Sequence, residues 1–585
     1  MNSLQPSHPT RSAKRQPLRI LFRLVLLAIL VWILWTGLSA LLYMPYPNRR
    51  ISSNPLYLKG GYHLHSTFSD GQADLPQLAR EAKKSGLDWI ILTDHGGPNP
   101  SSEKAGGWID RTLVIGASEA STDAGHLAVI GASTSYRLPF EPQLAIDELN
   151  RRQGLSYIAH PGDNRIPWTD WSVHDFSGIE ILSAYESVKR APWNRYLQLP
   201  LQYLINPRYA VLNLLSTPEA ALKLWDRYNH SQGRIYSGIF ATDAHGKLPL
   251  GRKLRLPFPS YESLMSTLVL YVPSPKTDFF TMDRTDASAW VVSALRDLRF
   301  FNVIETMAPA DGVEMAAVQE EIEDSTQHWQ FRTRHPLTKR VELKLLCNGE
   351  VVHHQADLPR EYQIRLPRPG RYRAELHLPD HRFSRLPWVI GNPFDIPPAS
   401  VDTKKPAPSA VPVKPPESVS AIPLNTWTME VNQGSTYEWI SSPANAFRNG
   451  EISFRYSLNL PSGTRDAWCS LATRDVKTLV ETVAPGEGIY LEIAADRRTN
   501  LWLDIRTRNP RAKAQSWYRH SVMADKEISA HRIPFAKMVP FSNDWEKSPL
   551  NSTQIIALFI SINNQIAFVP SNGEIRLLKI GGYRK

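Results

Sequence analysis

Five short apolar runs in the first half of the chain end in a histidine or an acidic residue: YHLHSTFSDG (62–71), WIILTDH (89–95), TLVIGASE (112–119), LSYIAHPGD (155–163) and GIFATDAHG (238–246). Another, HLAVIG (126–131), opens on one. Side chains at i and i+2 of a strand leave from one face, so His63 and His65 are expected side by side, with the following loop swinging Asp70 toward them. Helix-like segments separate the runs. The clearest is DLPQLAREAKKSGLD (74–88), where Asp74 caps, Pro76 lies in the first turn, Leu75, Leu78, Ala79 and Ala82 recur at helical spacing and Gly86 ends the helix. PQLAIDELNRRQG (142–154) and PEAALKLWDRYNHSQG (218–233) also suit helices, and GIEIL (178–182) a strand. Such β/α alternation over residues 61–305 favours a barrel or a doubly wound sheet. In a barrel the strand C-termini converge on one face, which would gather these scattered groups into one site.

Taken singly, each group has an ordinary reading. His160 precedes Pro161 and could simply end a strand, Asp94 could cap a turn or orient a neighbouring imidazole, Glu119 could be a solvated carboxylate, and His126 a satisfied polar residue. The joint pattern of HxH, TDH, E, H, HP and DxH points instead to a metal centre. Imidazole and carboxylate without thiolate suit Zn, Mn or Fe. Closely spaced metals yield hydroxide near neutral pH and hold both the attacking and the leaving oxygen of a phosphoryl group. Positive donors for phosphate oxygens would be Arg165, after AHPGDN, and Lys247, Arg252 and Lys253, after DAHG.

This order of motifs resembles the PHP superfamily, named for the polymerase and histidinol phosphatase domains that share it. The resemblance covers about residues 61–305 and rests on HLHSTFSDG, ILTDHG, GASE, GHLAVIG, IAHPG and ATDAHG. It implies a distorted (β/α)7 barrel holding two or three divalent metals at its strand C-termini. Position by position, it places His63, His65, Glu119 and Asp243 on one metal. A bridging Glu119 with His126 and His160 would bind a second, and Asp70, His95 and His245 a third. Glu119, Asp243 and His245 take the catalytic role. The weakest transfer is His126, because the spacing after the glutamate varies within the family.

Residues 24–44, LVLLAILVWILWTGLSALLYM, carry no charge, and about 20 apolar residues in a helix span a bilayer. Five basic residues precede this run closely and only Arg49 and Arg50 follow closely, so the positive-inside rule expects a cytoplasmic N-terminus and a single-pass protein whose bulk is extracytoplasmic. A cleaved signal peptide is the alternative; the apolar run is longer than a usual h-region. The formal net charge is +11, but eight positive charges and no acidic residue precede Asp70, which leaves +3 for the remainder. No nucleic-acid patch is expected in the folded part. Cys347 and Cys469 fall in separate regions, so no disulfide framework is indicated.

Residues 306–396 alternate polar and apolar side chains, as in VELKLLCNG and RYRAELHLPD, which indicates a small antiparallel β-domain. It resembles the β-rich extension that follows the barrel in some membrane-associated PHP proteins. Residues 397–424 are Pro-rich, poor in bulky apolar side chains and read as an extended linker. Residues 425–585 alternate again and resemble the galactose-binding-like jelly-roll group, in which Trp439, Trp468, Trp502 and Trp517 could stack on a sugar, although core packing is the commoner fate of such rings.

The expected chain is multidomain: a cytoplasmic basic tail (1–17), a transmembrane helix (18–44), a juxtamembrane segment (45–60), the α/β barrel of PHP type (61–305) and two all-β domains (306–396 and 425–585) flanking the linker. The expected function is a membrane-anchored, metal-dependent phosphoesterase acting on a phosphorylated small-molecule or envelope-derived substrate, with carbohydrate a candidate ligand of the last domain. The same metals could serve an amide or lactone hydrolase. A non-catalytic envelope protein that binds glycans through its last domain is the third reading.

Overall fold

The computed structural model describes residues 15–43, 56–131, 136–231, 233–250, 254–256, 258–319, 327–333, 339–366, 368–396, 418–461, 464–508, 515–540 and 549–584. Helix α1 (Arg15–Leu41) contains a 22-residue apolar stretch, Ile20–Leu41, and is long and apolar enough to cross a membrane. Most of that stretch is exposed; only its last turns are covered, where Thr36, Ser39 and Ala40 are buried. There Arg382 Nη2 donates to Ser39 Oγ at 3.0 Å, and Asn206 Nδ2 donates to the carbonyls of Ala40 (3.3 Å) and Tyr43 (2.9 Å).

The site-bearing region is built from two sheets. Strand β1 (Tyr57–Leu64) pairs in parallel with β2 (Trp89–Leu92), and β2 with β4 (Thr112–Gly116), which carries the short edge strand β3 (Gly107–Ile109). The second sheet runs β5 (Ser118–Thr122), β6 (Gly125–Ile130), β7 (Leu155–Ile158), β8 (Gly178–Ser183) and β9 (Ser237–Ala241). Its last three strands are parallel, whereas β5, β6 and β7 are antiparallel. The run TLVIGASE, which reads as one strand, therefore divides at Ala117 between two sheets, and Glu119 opens a hairpin instead of ending a parallel strand.

Single parallel bridges tie both edges of the second sheet to the first: Leu64 with Ala244, and His95 with Glu119. The backbone bonds at these joints are ordinary in length, His65 N to Ala244 O at 2.9 Å and Gly96 N to Glu119 O at 3.0 Å. Every bridge residue is a candidate site residue or its immediate neighbour.

Helix α2 (Leu75–Lys84) follows β1 as its sequence demands: Asp74 accepts from Gln77 N at 2.9 Å, and Leu78, Ala79 and Ala82 face the core. Helices α3 (Pro100–Ala105) and α4 (Pro142–Arg151) follow. Between β8 and β9 lie four helices, α5 (Ala184–Arg190), α6 (Trp193–Ile205), α7 (Pro207–Leu214) and α8 (Glu219–Ser231). The first sheet also continues beyond residue 305. Strand Leu268–Pro273 pairs with β1, Phe301–Ile304 pairs with Leu268–Pro273, and Pro387–Gly391 pairs with Phe301–Ile304. One hydrophobic core runs from Ala40 to Ile396.

A second core, between Ile422 and Ile580, fills a sandwich of two six-stranded sheets. Strand Ser418–Ala421 pairs with the C-terminal strand Ser571–Arg584, so this sandwich begins inside the stretch that reads as linker; residues 397–417 lie outside the described residues. The sandwich docks on the segment before α4. Arg137 N donates to Ile566 O at 3.2 Å, Phe140 N to Ser521 Oγ at 3.0 Å, and Arg498 Nε to Glu148 Oε1 at 2.6 Å. Glu148 is buried, and Tyr136 and Arg151 share the same carboxylate. Because Tyr136 and Arg151 still hold the buried Glu148 carboxylate, Arg498→Ala removes one charge-assisted bond across the interface and should cost about 2 kcal/mol, splitting off a lower-temperature calorimetric transition for the sandwich. An unchanged thermogram would contradict this docking account.

Candidate metal centre

Six imidazoles and three carboxylates meet where the two sheets are bridged. Glu119, 1% exposed, lies at their middle. Its Oε1 accepts from His126 Nδ1 and His160 Nε2, each at 2.8 Å, and lies 3.6 Å from His63 Nε2. Its Oε2 lies 3.1 Å from His95 Nδ1 and 3.3 Å from His65 Nε2. Asp243 Oδ1 approaches the Nε2 atoms of His63 and His65 at 3.6 and 3.5 Å, and His245 Nδ1 at 3.5 Å. On the outer side, Asp70 Oδ1 lies 3.2 Å from His245 Nε2 and 3.6 Å from His95 Nε2. The His65 and His245 rings stack with centroids 4.0 Å apart.

Three groups present ligand atoms within 4.8 Å of one another: His63, His65 and Glu119; His95, Glu119 and His126; and His65, Asp70, His95 and His245. Seven of the nine candidate ligands thus fall in overlapping sets, and the other two join them through neighbours, His160 through Glu119 Oε1 and Asp243 through His63 and His65. His95 belongs to two of the sets and lies closer to Glu119 (3.1 Å) than to Asp70 (3.6 Å).

Local backbone geometry is unusual at three of these positions. His63, His160 and Asp243 have φ of 65°, 28° and 48°, a left-handed region that non-glycine residues seldom occupy. The His63 and His65 side chains therefore do not share a face through strand alternation alone, because the β1–β2 register shifts between Tyr62 and Leu64. Such conformations persist where the surroundings over-determine them, and they cluster at functional sites.

Supporting residues surround these ligands, and one of them, Glu180, has no motif to announce it. Glu180, from the middle of β8, accepts from His63 Nδ1 at 2.5 Å and from the backbone N–H of His160 at 2.7 Å. A carboxylate on the far nitrogen fixes an imidazole's tautomer and orientation. The only signal was an acidic residue inside the apolar run GIEIL, where a buried charge requires a partner. Asp94 holds the loop after β1 by accepting from Ser66 N (2.7 Å), Ser66 Oγ (2.8 Å) and Ser69 Oγ (2.7 Å). Gly71 closes that loop so tightly that a Cβ there would lie 2.1 Å from His65 O. Tyr185 of α5 stacks on His245 with centroids 5.2 Å apart.

The electrostatics show what the arrangement must accommodate. Burial alone would raise the Glu119 carboxyl, but the His63 charge and the bonds from His126 and His160 hold it well below its ordinary range. Asp243 and Asp70 are likewise held far down, each against its own burial, by the imidazoles beside them. Burial lowers His65 to about 4, with the charge of His245 adding to the effect. Burial would also lower His160, yet the bond and charge of Glu119 raise it to about 9. Some of these imidazoles carry protons while others are kept neutral. Nε2 of His63 and Nε2 of His65, both beside Glu119 and Asp243, are buried without a hydrogen-bond partner. Unpartnered imidazole nitrogens aimed into a cluster of carboxylates fit divalent cations bound by N and O donors.

Among the expected phosphate donors, Lys247 is buried and pairs with Asp70 at 3.2 Å. Arg165 sits exposed on the loop after His160, its backbone N–H held by Asp163 at 2.7 Å. Arg252 and Lys253 lie outside the described residues. In the terminal sandwich, a cleft of about 240 Å³ is lined by Trp468, Trp502, Trp517 and Phe559. Three of these rings are covered by guanidinium groups, Arg519 over Trp502 at 3.3 Å and Arg506 over both Trp517 at 3.9 Å and Phe559 at 4.1 Å. Trp439 lies on the other sheet, edge-on to Phe454.

No protein-family model matches the chain, and no curated protein is similar to it. Among solved structures, a two-domain protein containing a predicted PHP-like metal-dependent phosphoesterase from Bacteroides vulgatus is similar at 16% identity over 59% of this chain and 97% of its own, with a TM-score of 0.29. A family 11 carbohydrate-binding module from Clostridium thermocellum, in complex with a β-1,3-1,4-mixed-linked tetrasaccharide, is similar at 12% identity over 27% of this chain and 89% of its own, with a TM-score of 0.20. A family 30 carbohydrate-binding module of a cellulosomal cellulase from the same organism gives 13%, 27%, 83% and 0.17.

A histidine whose folded pKa lies above its unfolded value adds stability that is complete below the unfolded pKa and disappears as pH rises through the folded one. For His160 that window runs from 6.5 to about 9. Chelator-treated protein should therefore lose melting temperature between these pH values, and His160→Gln should flatten the loss. Parallel curves for the two proteins would refute the assignment of that proton.

Proposed function

We propose that the chain is a metal-dependent phosphoesterase whose seven strands β1, β2 and β5–β9 form a distorted barrel of the PHP kind. The observation that carries the reading is the gathering of nine imidazole and carboxylate groups around Glu119, whose two oxygens face different sets of nitrogens, five imidazoles in all. The motif order of the sequence supports the same family.

His63, His65, Glu119 and Asp243 would hold one cation, Glu119 with His126 and His160 a second, and Asp70, His95 and His245 a third. When bound, such ions supply Lewis-acid activation of water and neutralise phosphoryl oxygens. The remaining work belongs to the protein. Glu119 supplies charge to adjoining positions from a fully buried carboxylate, and Glu180 keeps Nε2 of His63 turned into the cluster by holding Nδ1. Lys247 and Arg165 are the cations on the described side of the mouth that would orient a phosphate, with Lys247 exchanging its contact with Asp70 for a phosphate oxygen. Glu119, Asp243 and His245 would take the catalytic role beside a reacting phosphoryl group.

The helix α1 would anchor the protein in a membrane with the N-terminus cytoplasmic, and the sandwich cleft, with its amide, hydroxyl and guanidinium lining, would bind carbohydrate.

Purified protein should contain tightly held Zn, Mn or Fe and should turn over a generic phosphoester. His65→Ala and Asp243→Ala should abolish turnover and lower the metal content. Glu180→Gln, which touches the cluster only through His63 and His160, should lose about 10–100-fold in metal affinity or activity. Full activity in both alanine variants, or cleavage of amide or lactone substrates while a phosphoester panel stays intact, would overturn the assignment.

A further inference from the structure

Helix α6 divides sharply into two faces. On one, Leu199 and Tyr203 pack with Tyr185, Val188, Leu214 and Phe258, and Arg195 donates to the carbonyls of Asn213 (2.9 Å) and Leu215 (3.3 Å). On the other, Trp193, Leu197 and Leu204 are 74%, 57% and 83% exposed, and Pro200 stands between them. Positions 193, 197, 200 and 204 follow helical spacing, so they form one stripe along the full length of the helix. Arg195 is the sole charged residue of α6, and it is engaged on the inner side. An apolar stripe this exposed and uncharged is not the surface of a helix meant for water.

What lies beside the stripe identifies its partner. Leu201 and Ile205, about a quarter-turn round the helix, approach the Cβ position of Gly37 at 3.6 Å each. Asn206, just after α6, holds the carbonyls of Ala40 and Tyr43 at the end of α1. The stripe is therefore continuous with the end of the apolar stretch that is long enough to cross a bilayer. A lone amphipathic helix lies in the membrane interface with Trp and Leu directed into the acyl boundary, and Trp193 at one end of α6 suits that level.

We propose that α6 is an interfacial helix that seats the catalytic region on the lipid surface next to the α1 anchor, burying Trp193, Leu197, Pro200 and Leu204 among the lipids. This rests on the reading of α1 as a membrane span. The consequence for the site is direct, because the inner face of α6 packs against Tyr185, whose ring stacks on His245. The helix, its inner side chains and Tyr185 separate the lipid contact from the candidate ligand cluster, so the bilayer fixes the orientation of the site.

Both native cysteines are buried, and burial pushes the Cys469 thiol up to about 12, so an introduced surface cysteine can be labelled selectively. Full-length Leu197→Cys, Leu204→Cys and, as a control, the 55% exposed Val351→Cys would each carry an environment-sensitive fluorophore. Each would be reconstituted into phosphatidylcholine–phosphatidylglycerol vesicles containing lipids with a nitroxide near the headgroup or at the chain end. Labels at 197 and 204 should be quenched several-fold more than the label at 351, and more by the shallow nitroxide than by the deep one. Vesicle flotation of the same samples separates the two readings. If the protein floats with the vesicles but labels at 197 and 204 are no more quenched than the control, α1 stands as the anchor and the α6 proposal falls, most plainly if the labels instead report contact with a second copy of the chain. If the protein does not float, the anchor fails and the proposal fails with it.

Discussion

A single carboxylate, Glu119, organises the α/β half of this protein. It is 1% exposed and is approached by five imidazole nitrogens from β1, β6 and the segments after β1, β2 and β7. A charge so placed would be strongly disfavoured without compensation, and the surrounding histidines provide it. Their own protonation is then set by competition: burial suppresses the charge on His65, whereas Glu119 sustains it on His160. The same backbone position also joins the sheets, since the bridge between His95 and Glu119 is one of the two that close the ring of strands. Structure and chemistry thus depend on the same residue, and a change there would disturb both.

The second joint, Leu64 with Ala244, follows the same logic. Leu64 stands between His63 and His65, and Ala244 between Asp243 and His245, so pairing the two apolar residues aligns four flanking polar groups. The left-handed backbone at His63 and Asp243 is what allows the flanking groups to point inward there. Strain of this kind costs on the order of 1–3 kcal/mol per residue. It is sustained here by a continuous core that extends from Ala40 into the β-rich region as far as Ile396.

Much of this was legible in the sequence because its signals were local. The capped helix after β1 and the apolar stretch at the N-terminus followed from spacing and composition, and so did the presence of a ligand-type residue at the end of each of five runs. What was not legible depended on pairing. TLVIGASE looks like one strand, but the turn at 123–124 folds Glu119 and His126 into a hairpin, and no periodicity records which sheet each half joins. Residues 306–396 alternate like an independent β-domain, yet Pro387–Gly391 extends the first sheet through Phe301–Ile304. Glu180 lacked a motif because its role, holding His63 and His160 together, exists only once β1, β7 and β8 are adjacent. The tryptophans of the last domain show the same dependence on pairing: a sequence shows rings available for stacking, and the fold stacks arginines on two of them.

The account stands or falls on whether Glu119 is shared between cations. Crystals of the purified protein, measured at the absorption edge of whichever metal its elemental analysis identifies, should show two or more anomalous peaks, with the two oxygens of Glu119 bonded to different ions. A map with no peak within bonding distance of Glu119 would contradict it.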